Sequence, residues 1–444
     1  MTRTIRQGLI LLILISIGGR AVFGQTEKSA PFGEGKFLRY TIKNWYKGKE
    51  AAVTLTFDDA YRSQFRLAVP LLTIYSFKAT FFIVTNRIGK GYSPDWDSVR
   101  YLANMGHEIG SHSMNHADFD TLINNPKYLD SLKKELYLSM KTINRYIPLQ
   151  KCRSFAWPFG KVNQASIEFC RKYYLQARSS FNNYEVIDPV NMLCLSSQKI
   201  YNGTTLVSMN KMADDILRIN GWLIERYHGF RTGSDTNGYE PIDIEIFRKH
   251  LNYIKIRENS LWVSTLDNVA SYIRERNCTG IRVLDYNEKG FKISVSNALP
   301  DSVNTVPVSL DIQLDGSLRY LAQIRQQGRV VPFIKNRKGS KDYAMFDAVP
   351  NSGEFQLSTP LQSFSCDPQL FNEKTQITFR IAEKQNVRIL ILDVYGKTIQ
   401  EWKQEFESGD NTLLFKALKI PAGEYTCRIE IGGGIFSLKI QHQQ

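Results

Sequence analysis

Two different periodicities divide the chain. From about residue 51 to 276, short apolar runs alternate with stretches whose apolar positions recur every three or four residues. The strand-like runs are 52–57, 78–85, 107–111, 153–157, 174–179, 222–227 and 261–264. The clearest helical face carries Leu129, Leu132, Leu136, Met140, Ile143 and Ile147. A second helix follows Pro241, with Phe247, Leu251 and Ile254 facing inward, and a third follows Thr265, with Val269 and Ile273. Strands alternating with helices predict a parallel sheet, and this many strands favour barrel-like closure over a short open sheet. Beyond Gly280 the helical period vanishes. Strands at 292–296, 308–313, 320–325 and 345–349 predict a small all-β module over 281–365. A Pro/Ser/Asp-bearing break at 359–368 leads to a last β-rich block, 370–444, with strands at 377–381, 387–394, 412–415, 425–431 and 435–440. The expected fold class is α/β, a distorted (β/α) barrel followed by two small sandwich-like all-β modules.

Composition changes this picture little. The chain has 444 residues, 43% of them hydrophobic, enough for two or three domains. The formal charge is +14, but Lys and Arg are spread along the chain without a dense basic run, so no nucleic-acid groove is expected. Arg3 and Arg6, an apolar run over 9–17 and small residues up to Gly24-Gln25 predict a signal peptide over 1–24. No later run is apolar enough to cross a membrane, so the mature protein is expected to be exported without an integral membrane segment. None of the six cysteines forms a C-x-x-C pair, and their spacing specifies no disulfide, so buried free thiols are the expectation.

The candidate chemistry lies at strand ends. The strand from Thr54 ends in Asp58-Asp59, and adjacent carboxylates are costly unless a cation or a proton is shared between them. His112 and His116 follow another strand and are one helical turn apart, so both can point the same way. In a parallel α/β fold, strand C-termini open on one face, which predicts that these residues converge. One carboxylate with two imidazoles leaves coordination positions open, as in a catalytic metal site. If Asp59 is the ligand, Asp58 is free to act as general base. Non-haem iron oxygenases use the same ligand types, but nothing else in the chain suggests a co-substrate site. A third strand end carries Phe155-Ala156-Trp157-Pro158-Phe159-Gly160, a rigid turn whose N–H groups can stabilise an oxyanion. A plain strand-to-helix turn reads that segment equally well. The strand 222–227 ends at His228, on the same face and placed to protonate a leaving group.

Thr56-Phe57-Asp58-Asp59, His112-Ser113 with His116, Pro158-Phe159-Gly160 and a late His228 occur in that order. This order resembles the polysaccharide deacetylases of the NodB-homology class, carbohydrate esterase family 4, over about residues 50–276. The resemblance implies a distorted barrel of the polysaccharide deacetylase type, placed here at 31–278, and metal-dependent removal of acetyl groups from glycans. Asp58 would be the base, His228 the acid, and Asp59, His112 and His116 the ligands of a divalent metal, zinc first, with cobalt or nickel as alternatives. The Phe159 N–H would belong to the oxyanion hole, with Trp157, Pro158 and Gly160 around the substrate. Two positions depart from the family pattern. Ala156 stands where an arginine often braces the base, and the aspartate–tryptophan motif that holds the late histidine is matched only by Asp188 and Trp222. The last block, through 387–394 with Tyr395-Gly396-Lys397 and Pro421 to Tyr425, is similar to the C-terminal sorting domain of type IX secretion. That likeness implies the type IX machinery as a partner and a secreted or outer-membrane-surface location in a bacterium. Asp367-Pro368 and Phe371-Asn372 only approximate its Asn-Pro opening, and an Ig-like sandwich is the alternative. The middle module reads equally as a spacer or a carbohydrate-contacting sandwich. The expected activity is removal of acetyl groups, N-acetyl first, from an acetylated polysaccharide. The alternatives are an O-acetyl (acetylxylan-type) esterase, and a surface glycan-binding protein whose catalysis is weakened at Ala156.

Overall fold

The computed structural model describes residues 27–123, 126–233, 238–303, 306–418 and 420–443. The expected signal peptide, 1–24, lies outside the described residues. An N-terminal hairpin, β1 (Lys28–Gly33) and β2 (Lys36–Ile42), comes before the α/β part but does not join its sheet.

The α/β part holds β3 (Ala51–Asp58), β4 (Thr80–Ile83), β5 (Glu108–Ser111), β6 (Ser154–Ala156), β7 (Gln176–Arg178), β8 (Gln198–Lys199) and β9 (Trp222–Tyr227). They pair in the order β7-β6-β5-β4-β3-β9-β8, all parallel. Two short strands, β10 (Phe230–Arg231) and β11 (Ile242–Asp243), pair with each other, and β12 (Leu261–Val263) lies along the start of β3. The sheet curls until its ends nearly meet. Leu195, just ahead of β8, bridges Arg178 of β7, while β8 itself pairs with Glu225 and Arg226 of β9. The barrel is closed only by this thin seam.

All eight residues of β3 are buried. Its alternate residues Ala51, Val53, Leu55 and Phe57 pack in the core under the helices, whereas Ala52 packs inside the barrel with Phe82, Ala156, Leu195, Trp222 and Ile224. The period of two therefore sends Asp58 inward. The three helices expected from periodicity are present at Leu129–Tyr146, Ile244–Lys255 and Leu266–Cys278. The last two begin at side-chain caps, Asp243 on the Glu245 N–H and Thr265 on the Asn268 N–H.

The next module has β13 (Gly280–Asn287), β14 (Gly290–Ser296), β15 (Val308–Gln313), β16 (Gln323–Gln326), β17 (Arg329–Val331), β18 (Phe333–Lys338), β19 (Lys341–Ala348) and β20 (Glu354–Ser358). Its sheets are β1-β2-β15-β19-β18 and β13-β14-β20-β16-β17, with Leu38, Tyr40, Ile293, Leu310, Ile312 and Phe355 in one core. The α/β part is thus inserted between the second and third strands of this sandwich. The expected division at 31–278 and 281–365 is corrected accordingly, because residues 28–42 belong to the β module. The third module has β21 (Leu361–Asp367), β22 (Leu370–Phe371), β23 (Lys374–Ile381), β24 (Gln385–Leu392), β25 (Thr398–Phe406), β26 (Gly409–Lys416), β27 (Gly423–Ile431) and β28 (Gly434–His442). It forms sheets β21-β23-β26 and β22-β28-β27-β24-β25. The expected break at 359–368 is mostly strand β21, which buries Leu361, Phe364 and Cys366 and shows polar residues outward.

A polar cluster lines the start of the barrel strands. The Glu108 carboxylate accepts from Thr80 Oγ1 (2.7 Å), from the Asp267 N–H (3.0 Å) and from Ser154 Oγ. Burial first, and then the Asp267 carboxylate, push Glu108 from an ordinary 4.5 up to about 7. A carboxyl raised in the folded state holds its proton where the unfolded chain has lost it, so stability falls as pH rises between these two values. Urea unfolding across that window is expected to show this loss in the wild type, and Glu108→Gln is expected to flatten it.

Candidate functional site

The strand C-termini bring Asp58 and Asp59 (β3), the loop after β5, the turn after β6, Arg178 (β7) and His228 (after β9) to one end of the barrel. Asp59, His112 and His116 each offer one ligand atom, and these atoms lie within 4.8 Å of one another. The two imidazole centroids are 4.7 Å apart with their planes at 82°. The histidines do not sit on a helix as their spacing suggests; residues 112–118 form a loop. Left-handed backbone makes them converge, at Ser113 (φ 65°) and His116 (φ 63°). Asp59 (φ 69°), Ala60 (φ 53°) and Phe159 (φ 58°) share that region. Such residues cost on the order of 1–3 kcal/mol each and persist where the surroundings over-determine them. Glu135 does much of this, accepting from the N–H groups of Met114 (3.0 Å) and Asn115 (2.8 Å) and from Asn115 Nδ2 (2.6 Å). His112 Nδ1 donates to the Ala156 carbonyl at 2.8 Å, which fixes the tautomer and leaves Nε2 as the ligand atom. Three oxygen and nitrogen donors converging from one side fit a divalent ion with coordination positions to spare.

Asp58 faces the other way, into the barrel. Its Oδ1 accepts from Arg178 Nη2 at 2.5 Å, with the two side chains only 3% and 1% exposed. The guanidinium lies 5.4 Å from the Phe82 ring centroid. Arg178 is the residue in register with Ala156 on the next strand, so the brace missing at 156 arrives from β7. Small interior residues leave it room: a Cβ on Gly110 would lie 2.5 Å from the Phe82 ring. His228 Nε2 is 3.8 Å from Asp58 Oδ2. Gln64 ties the two strand ends together, donating to the carbonyls of Asp58 (2.6 Å) and His228 (2.8 Å). Neither sequence candidate for holding His228 does so. Asp188 pairs with Arg276 at 2.7 Å, and Trp222 Nε1 donates to Thr54 Oγ1 inside the barrel. The His228 ring edge instead meets Tyr239, at 5.0 Å, and Nδ1 has no partner among the described residues.

The two adjacent carboxylates are driven apart electrostatically. Burial pushes Asp58 up, but Arg178, then His112, His228 and Arg226, outweigh it and hold this carboxyl well below its usual range. Asp59 is pushed up, by burial first, with His112 opposing and Asp58 adding to the rise. Burial lowers His112 and His228 to about 4 against the pull of Asp58, and lowers His116 with help from Arg87. Neutral imidazoles are the ligand form.

The four residues of the Trp157–Gly160 turn face different surroundings. The Trp157 indole packs in the core against Phe119 and Phe155 and donates to the Leu193 carbonyl at 2.9 Å, and Pro158 is buried. Gly160 is a close-packing position, because a Cβ there would meet Ser180 Oγ at 1.8 Å. Phe159 alone reaches the site, its ring 4.5 Å from His116. Sequence reasoning missed Arg178, Gln64, Glu135 and Arg87, whose Nη1 is 3.3 Å from Asp59 Oδ1.

Residues 46–177 match the family model described as polysaccharide deacetylase. A deacetylase domain is thereby supported for this part of the chain, and the match includes Asp58, Asp59, His112, His116 and Phe159 but stops one residue short of Arg178. Among curated relatives, a gellan lyase from a Bacillus species is 22% identical over 333 residues, 70% of this chain but 13% of the relative. The poly-beta-1,6-N-acetyl-D-glucosamine N-deacetylase of Staphylococcus epidermidis is 29% identical over 159 residues, 32% of this chain and 54% of the relative. The chain therefore spans less than two thirds of these relatives. A polysaccharide deacetylase structure from Bacillus cereus aligns with TM-score 0.32 and 18% identity, covering 36% of this chain and 50% of that one.

Breaking the buried pair that crosses the barrel leaves an uncompensated charge, a loss of about 3–5 kcal/mol. Arg178→Ala is expected to cost that much in urea unfolding. Adding Asp58→Asn to it should recover part of the loss, and a strictly additive double mutant would show that the pair does not couple.

Proposed function

We propose that this chain is an exported, metal-dependent hydrolase that removes acetyl groups, N-acetyl first, from a polysaccharide. The observation that carries the reading is the division of Asp58-Asp59 into one carboxylate turned toward two imidazoles and one held ionised by a buried arginine. Asp59, His112 and His116 would hold a divalent ion, zinc first with cobalt or nickel as alternatives, which would supply Lewis acidity toward water and an acetyl carbonyl. Asp58 takes the proton of the attacking water, and Arg178 keeps that carboxylate aimed and charged. The Phe159 N–H donates to the oxygen that gains charge. His228 delivers a proton to the leaving amine as the carbon–nitrogen bond breaks. His228 Nε2 lies 3.8 Å from Asp58 Oδ2, so a proton taken up by the base has a short route to the acid.

The N-acetyl reading is supported by the name of the staphylococcal relative. The O-acetyl esterase needs the same proton transfers, so substrate alone separates the two. The glycan-binding alternative rested on Ala156, and a guanidinium from Arg178 meets the need that Ala156 leaves. Export and surface delivery rest on the leader-like start and on the sorting-like block, whose Tyr395-Gly396 turn joins β24 to β25.

Acetate release from a panel of N- and O-acetylated glycans is expected to vanish with chelator and return with added zinc. Asp58→Asn should lower kcat about 10²–10⁴-fold, the range for losing a general base, without loss of bound metal. Release that ignores chelator would sink the metal-dependent reading, and absent release together with no bound metal would sink the enzyme reading. For delivery, removing residues 361–444 should retain the protein inside the cell, and unchanged surface display would refute the sorting role.

A further inference from the structure

The spacing of the six cysteines specifies no pairing, yet the fold brings two of them together. Cys366 lies on β21, in the three-stranded sheet of the C-terminal module, and Cys427 lies on β27, in the five-stranded sheet. Both side chains point into the core between the sheets, 4% and 0% exposed, beside Phe364, Ile377, Tyr425 and Ile429. The two thiols face each other across this core as near neighbours, each perturbing the ionisation of the other. The other four lie apart from this pair: Cys152 and Cys170 in the core of the α/β part, Cys194 packed against that core, and Cys278 exposed at the end of the last helix.

We propose that Cys366 and Cys427 are a disulfide site that joins the two sheets of the C-terminal sandwich once the chain meets a disulfide donor. In a disulfide the Cβ atoms approach to about 4 Å, which inward-facing residues on two packed sheets reach only where both are small and already in contact. The step is thiol–disulfide exchange with a disulfide-bearing oxidoreductase or with oxidised glutathione. One protein thiolate attacks a donor sulfur, and the donor's other sulfur leaves as a thiolate. The second protein thiolate then attacks the mixed disulfide, forming the Cys366–Cys427 bond and releasing the donor's remaining sulfur. Two protons and two electrons pass from the protein to the donor.

Position gives the bond a consequence. Among the described residues β21 pairs only with β23, and it comes directly after β20 of the preceding module, so it receives any load passed between the modules. A bond to β27, which lies between β24 and β28, would fix this edge strand to the interior of the opposite sheet. It would also constrain the unfolded chain over a long loop, where a disulfide acts most strongly. None of this depends on the reaction assigned to the barrel.

The test uses the full chain refolded in oxidised or in reduced glutathione, alkylated in denaturant and digested without a reductant. Oxidised protein is expected to yield a peptide linking Cys366 to Cys427, with the other four cysteines alkylated. Its melting temperature should exceed that of reduced protein, and the difference should disappear equally in Cys366→Ala, in Cys427→Ala and in the double variant. Recovery of Cys366 and Cys427 peptides fully alkylated after oxidation, or linked to any other cysteine, would overturn the proposal. The wild-type peptide map decides this even if the variants fail to fold.

Discussion

A guanidinium buried inside a barrel must find an anion, and Arg178 finds Asp58. Desolvating the two ions costs several kcal/mol each, which close geometry and a supporting interior must offset. The interior around them shows that support. Gly110 leaves room for the Phe82 ring, which lies 5.4 Å from the guanidinium, and Gln64 pins the carbonyl of Asp58 itself. Arg226 on β9 adds a second cation, lowered to about 10 by burial and then by Arg178. With positive charge inside the barrel, Asp58 stays ionised. Asp59 is spared from sharing that role because its left-handed φ turns the chain out of the strand and toward the histidines. The division of labour between two neighbouring carboxylates is therefore a backbone effect before it is an electrostatic one.

Much of this was legible in the sequence, and for a shared reason. The strands before Asp58, His112, Phe159 and His228 are apolar runs that end abruptly in the candidate site residues, and parallel topology puts such ends on one face. What stayed hidden depends on contacts across the barrel or on backbone twist. Arg178 ends a short strand and is far from Asp58 in sequence, so only the register of β6 with β7 reveals it as the substitute for position 156. Glu135 looks like one more polar residue on an amphipathic helix, yet it is buried and holds the histidine loop. Trp157 read as part of the site because it lies between site residues, but alternation turns its indole into the core. His112 and His116 converge as expected through a route that was not: two left-handed residues in a loop.

Domain boundaries were read less well because composition is a local signal and strand partnership is not. β1 and β2 are short and come just before the first barrel strand, so nothing local marks β2 as the partner of β15 or β1 as a member of the same sheet. β21 alternates small polar and apolar residues, and β25 is an edge strand carrying Gln400, Glu401, Lys403, Gln404 and Glu405, a composition that protects an exposed edge and also disguises it.

The inserted arrangement has a mechanical logic. Contacts between the barrel and the β module gather at the ends of the strands opposite the site. Lys43, ahead of β3, pairs with Asp311 of β15, and Tyr272 of the last helix donates to the Lys43 carbonyl at 2.9 Å. Arg153, just ahead of β6, donates to the Ser302 carbonyl at 2.6 Å, and Lys28 of β1 donates to the Thr279 carbonyl at 3.1 Å. The chain enters the barrel from the sandwich and returns to it at the same end. The strand C-termini, where left-handed residues cluster around the candidate metal ligands, carry none of these contacts. A fold that concentrates backbone strain at one end of a barrel is better able to hold it if the other end is anchored, and here the anchor is the module that encloses the insertion.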